Sequence, residues 1–206
     1  SSIDEIVRFA WEIWLRTIAI TDHSQFCIDF LNKKYWSNLW SSFRRTLSKW
    51  QNVVNDVDVI FWVEWDLINE QWDVCFDIQW VEPEFRILSA HSNVYQWPNE
   101  SITEATIKAI ERFREKIAFI AHPCCNWDFW QHVDITKLVD AANANRIPLE
   151  FNAKNFVQWK TNMKKLDYLL RYANRIYVNS DWHTLYEIKE MRLKAIDYLK
   201  EQWFID

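Results

Sequence analysis

Glycine is absent from this 206-residue chain. Average usage of about 7% predicts roughly 14, so every helix end and tight turn lacks the residue best suited to left-handed backbone. Cysteine is scarce, and the four present (Cys27, Cys75, Cys124, Cys125) show no C-x-x-C spacing. Adjacent Cys124 and Cys125 are badly placed to bridge each other, so reduced thiols are expected. No basic cluster accompanies the net charge of −5. That argues against a nucleic-acid-binding surface, although not against action on a nucleotide. No apolar run approaches the ~18 residues that span a bilayer. No secretory signal is visible, so a cytoplasmic protein without a membrane partner is expected. Low-complexity segments, linkers and internal repeats are missing too, and the length suits one domain with a sizeable core.

What is over-represented is tryptophan, with 15 residues. The excess nearly equals the glycine deficit. Trp14 and Trp203 follow helical stretches, where a left-handed residue usually stops the helix. Trp72 lies in a hairpin turn of the kind that favours glycine. The reading is that many of these tryptophans stand where the gene encodes glycine, for instance through a UGA codon translated as Trp but decoded as Gly in the source organism. Deliberate substitution and a naturally tryptophan-rich chain are the alternatives.

Local patterns alternate between strand and helix. Ser2 and Glu5 form a capping box ahead of apolar residues at helical spacing. Short apolar strands are expected at Thr17 to Thr21, Val57 to Val63, Phe85 to Ala90, Ile117 to Ala121, Pro148 to Phe151 and from Ile176. A hairpin strand is expected from Val74 to Ile78, and one or two helices within residues 25–52. Helices are expected to open at Ser101 (boxed by Glu104), Asp134, Asn162 and Thr184 (boxed by Glu187). Strand–helix alternation with short connections implies an α/β fold with a parallel sheet or barrel.

Chemistry recurs at one place in this layout. His23, Glu64, His91, His122 and the Asp181/His183 pair each stand at or just past the C-terminal end of a strand. In a parallel barrel those ends share one face. Asp181 and His183, two apart on a strand, are expected to project from the same side. Imidazole and carboxylate groups are good ligands for divalent transition metals. His132 falls in a polar loop and is expected on the surface.

Taken in order, Ile18-Ala19-Ile20-Thr21-Asp22-His23-Ser24, Val63-Glu64-Trp65-Asp66, Ala121-His122-Pro123, Leu149-Glu150-Phe151-Asn152-Ala153 and Asn179-Ser180-Asp181-Trp182-His183-Thr184 resemble the successive motifs of the polymerase and histidinol phosphatase (PHP) family. The likeness is to its small stand-alone phosphatase-like members, since no polymerase segment accompanies it. The resemblance implies a distorted (β/α)7 barrel that holds up to three divalent metal ions, zinc or manganese, and hydrolyses phosphoesters. Carried over residue by residue, His23, Glu64, His91, His122, Asp181 and His183 match metal ligands. Glu64 suits a bridging carboxylate, and Asp181 a ligand that also orients water. Asp22 matches a residue that orients the neighbouring ligand His, while Asn152 and Lys154 stand where they could contact phosphate.

The family opens with a strand carrying His-x-His, and this chain starts just after that point. Residues 1–206 are therefore expected to form a single, N-terminally truncated domain with its first strand missing. Family members also carry a small residue at Trp182 and often glycine at Trp62. The resemblance implies a metal-dependent phosphatase that attacks a small phosphorylated substrate with a metal-activated water. The competing readings are a catalytically inactive PHP-like domain and another barrel metallohydrolase acting on C–N bonds.

Overall fold

The capping box at Ser2 forms: Ser2 Oγ accepts from the Glu5 amide at 3.3 Å, and the Glu5 carboxylate accepts from the Ser2 amide at 2.7 Å. It opens α1 (Ile3–Glu12), whose buried residues Ile6, Val7 and Ala10 pack on Ile18 and Ile20 of β1 (Thr17–His23). The computed structural model describes residues 2–35, 51–75, 83, 85–91, 94–95, 98–127 and 129–205. After β1 come α2 (Gln25–Tyr35), β2 (Asp58–Asp66), β3 (Phe85–Ser89), α3 (Ile102–Phe113), β4 (Ile117–Ile120) and α4 (Ile135–Asn145). The chain continues through β5 (Leu149–Asn152), α5 (Ala153–Val157), α6 (Met163–Tyr172) and β6 (Ile176–Asn179) to α7 (Leu185–Glu201). A second helix within 36–50 and the hairpin residues Phe76 to Ile78 lie outside the described residues. Of that hairpin, an antiparallel bridge between Leu67 and Val74 is present.

The six strands form one parallel sheet in sequence order, β1 to β6. Each strand lies beside its chain neighbour, and helices follow β1, β3, β4, β5 and β6, an arrangement that curls toward a barrel. β1 and β6 are the two edges of the sheet. Residues of both edges line one cavity of about 1130 Å³. The α/β class, the parallel sheet and the six expected strands are thus present, in a curled sheet that among the described residues is not closed between β1 and β6.

Strand alternation sorts the side chains. Val63, Leu88, Ile120, Leu149 and Phe151 face outward into the main core beneath the helices, with Leu138, Leu166 and Leu169. On the concave side Ile87, Phe119 and Ala121 form a small apolar floor with Trp62 and Tyr177. Further along the same face, toward the strands' C-terminal ends, Glu64, Glu150 and Asn152 enter the cavity. The period of two places an apolar floor and a polar mouth on one surface.

Caps explain where helices begin. Asp134 accepts from the Thr136 and Lys137 amides, and Asn162 from those of Lys164 and Lys165. Ser101 does not cap α3 as expected. It closes a 3-10 turn (Asn99–Ser101) with helical backbone, and its hydroxyl donates to the Pro98 carbonyl at 2.8 Å. Among the described residues no helix is long and apolar enough to cross a membrane.

Candidate metal centre

Glu64 is the centre of the site because it sits on a middle strand facing the cavity. It stands in register with His23 across the β1–β2 ladder. Its Oε2 lies 3.4 Å from His23 Nδ1, and its Oε1 lies 3.1 Å from His122 Nε2 and 3.8 Å from His91 Nε2. Ring centroids are 5.1 Å apart for His23 and His91, and 5.4 Å for His91 and His122. Burial alone would raise the Glu64 pKa, but the charges of His91, His23 and His122 and the His122 hydrogen bond outweigh it. They hold the carboxyl well below the usual carboxylate range. Burial likewise favours neutral His122, yet the hydrogen bond and charge of Glu64 prevail and raise its pKa.

Two carboxylates hold the histidines from behind. Asp66, on β2 two residues beyond Glu64 and fully buried, contacts His91 Nδ1 through Oδ1. With Nδ1 turned to Asp66, the Nε2 of His91 faces Glu64 and the cavity. Glu150, 4% exposed on β5, accepts the His122 amide at 2.7 Å. It also accepts Asn152 Nδ2 at 3.1 Å and Asn179 Nδ2 at 3.0 Å. His122 thus sits at φ 36°, anchored at its backbone by Glu150 and at its ring by Glu64. Burial pushes the Glu150 pKa up, the charge of His122 pulls it down and that of Asp181 adds to the rise, leaving it at about 7.

The far side of the mouth is built differently from expectation. β6 ends at Asn179, and Asp181 lies beyond it with φ 46°, so strand alternation does not govern the Asp181/His183 pair. Asp181 Oδ2 accepts from Asn152 Nδ2 at 3.1 Å, which ties it to Glu150. His183 is exposed; its Nδ1 meets Lys154 Nζ at 2.5 Å and lies 4.0 Å from Asp181 Oδ1. Glu187 Oε2 accepts the His183 and Thr184 amides at 2.6 and 3.1 Å, the expected reach-back at the start of α7. Trp182 packs with Leu185 and Ile188 against α1 and β1 and also lines the cavity. Asn152, besides bridging Glu150 and Asp181, caps α5 through the Asn155 amide at 2.9 Å.

His23, Glu64 and His91 offer ligand atoms that all lie within 4.8 Å of one another, and His23, Cys27 and Asp66 make a second such group. Asp22, His122, Asp181, His183, Asn152 and Lys154 line the same cavity but belong to neither group. Cys27 is buried, and burial followed by the charges of Asp66 and Glu64 raises its thiol pKa strongly. Cys124 is buried with its pKa likewise raised by desolvation. Both thiols stay protonated, so neither is an activated nucleophile.

The donors suit a divalent cation. His23 Nδ1 is buried without hydrogen-bond geometry to any partner, and so is Asp66 Oδ2. Orphaned buried nitrogen and carboxylate oxygen atoms are unusual in a folded protein. Beside a carboxylate shared by histidines they are what a cation with ~2.0–2.2 Å bonds would satisfy after a small inward movement. Asp66 and Glu150 were the residues that motif reading left without a role. The signal was available, because Glu64-x-Asp66 and Glu150-x-Asn152 each put two polar side chains on one strand face.

No protein-family model matches this chain. No curated protein matches it. Among solved structures it is similar to a histidinol phosphate phosphatase from Lactococcus lactis subsp. lactis Il1403, crystallised with zinc, L-histidinol and phosphate. Identity is 13%, the TM-score is 0.46, and the match covers 95% of this chain and 88% of that one.

Proposed function

We propose that this protein is a metal-dependent phosphoesterase acting on a small phosphomonoester. The observation that carries the reading is the sharing of Glu64 by His23, His91 and His122 in one open cavity. His23, Glu64 and His91 would hold a first divalent ion, with His122 joining through Glu64. Asp181 and His183 extend the ligand set on the opposite lip, and zinc or manganese suits the nitrogen and oxygen donors. Such an ion, when bound, stabilises phosphoryl oxygens as a Lewis acid and lowers the pKa of water.

The chain's own groups do the rest. Asp66 holds the His91 ring with Nε2 toward Glu64 and the cavity. Glu150 and Asn152 fix Asp181, and Asn152 thereby acts through Asp181 as well as standing close to where phosphate would enter. Lys154 Nζ, 3.9 Å from Glu187, places a positive charge at the mouth, suited to a phosphate dianion. Asp22 lines the cavity beside His23 and would orient that imidazole.

A second reading has its own observation: Asp181 and His183 stand outside both compact donor groups. A domain that keeps one ion without turnover would look the same. The deciding experiment measures metal content of the purified chain, then p-nitrophenyl phosphate hydrolysis with added zinc or manganese. Metal-dependent hydrolysis that Glu64→Gln abolishes is expected. Stoichiometric metal without any hydrolysis would contradict the phosphoesterase and favour the inert domain.

A further inference from the structure

We infer that tryptophans 14, 62, 72, 130, 159 and 203 occupy glycine positions, and that the codons read here as tryptophan are decoded as glycine in the cell that makes this protein. The inference is independent of the reaction proposed above. It starts from the composition, 15 tryptophans against no glycine, but backbone geometry carries it. Trp14, Trp72, Trp159 and Trp203 adopt φ of 64°, 59°, 60° and 61°. L-residues with a Cβ avoid this region, and for a bulky side chain it is a genuine outlier.

Three of the four sit at the same structural position. After α1, the Trp14 amide donates to the Trp11 carbonyl and Leu15 to Ala10. After α5, Trp159 donates to Phe156 and Lys160 to Asn155; after α7, Trp203 donates to Lys200 and Phe204 to Leu199. This paired pattern is the Schellman helix stop, whose left-handed residue is usually glycine. The indoles gain nothing that offsets the strain, since Trp14, Trp159 and Trp203 are 91%, 91% and 92% exposed.

The interior repeats the mismatch by a different route. The indole nitrogens of Trp62 and Trp130 are buried without a hydrogen-bond partner, whereas buried indole N–H groups ordinarily find one. Both side chains line the cavity with Glu64, and the Trp130 ring lies 5.8 Å from that of His122. Glycine at these two positions removes both orphaned donors and enlarges the space in front of the candidate ligands.

Peptide mass spectrometry of the protein isolated from its source organism tests this. Peptides covering the six positions are expected to read glycine; tryptophan in the native peptides would overturn the inference. A recombinant comparison gives a second, separate readout. Each of Trp14→Gly, Trp159→Gly and Trp203→Gly is expected to raise Tm, by ~3 °C per site in a chain of this size. An unchanged or lowered Tm at all three would count against it.

Discussion

Asp66 is worth more to this site than its buried position suggests. A carboxylate behind a ligating imidazole fixes the tautomer and the ring, and removing such a partner typically weakens metal binding 10–100-fold. Asp66→Asn keeps the shape and deletes the charge behind His91. Zinc affinity, read by competition with a chromogenic chelator, is expected to fall about tenfold or more while the fold survives. Unchanged affinity would mean that His91 needs no orientation.

Glu150 supplies a pH signature. Its folded pKa of about 7 lies above its ordinary 4.5. A raised carboxyl pKa means the folded state favours the protonated form. That stabilisation is complete below pH 4.5 and is lost as pH climbs through 7, a swing of up to about 3 kcal/mol. His122, also raised, adds a loss in the same direction, whereas Glu64, depressed, contributes stability above 4.5 that disappears in acid. Urea unfolding of the metal-free chain from pH 5 to 8 should show stability declining with pH, and Glu150→Gln should flatten that decline. An identical slope in the variant would exclude Glu150 as its source.

Arg146 is the helix stop that a non-tryptophan residue occupies at φ 59°, with the Ile147 amide donating to the Ala142 carbonyl. Arg146→Gly is expected to stabilise the chain by ~1 kcal/mol in chemical denaturation. A loss of stability would show that the Arg146 side chain offsets its backbone strain.

At the scale of elements, Glu187 links the fold to the site. By accepting the His183 and Thr184 amides it both starts α7 and holds the loop that carries His183. Glu187→Ala is expected to cost ~1 kcal/mol and to broaden the His183 imidazole resonances in NMR. Sharp, unshifted resonances would place the control of that loop elsewhere. This element was legible because a box needs only two residues three apart, as were the starts at Ser2, Asp134 and Asn162. Ser101 misled because the preceding turn is 3-10 and gives the serine helical backbone. α5 went unseen because five residues carry too little periodicity, and its cap, Asn152, reads equally as a site residue. The geometry of Asp181 and His183 was misread for a related reason. The left-handed Asp181 past the end of β6 breaks the period-two alternation that would place both side chains on one face.

For the whole molecule, six parallel strands in sequence order bring polar residues that are far apart in the chain to one cavity mouth. That convergence was readable from the strand-end positions of His23, Glu64, His91 and His122. The strand faces of Asp66 and Glu150 were readable as well, but their partners and the role of Asn179 were not, since those depend on which strand neighbours which.

Crystals of the chain soaked in zinc and measured at the zinc absorption edge test the central claim most directly. A strong anomalous peak bounded by His23, Glu64 and His91 is predicted. An empty cavity, or zinc bound only elsewhere, would contradict it.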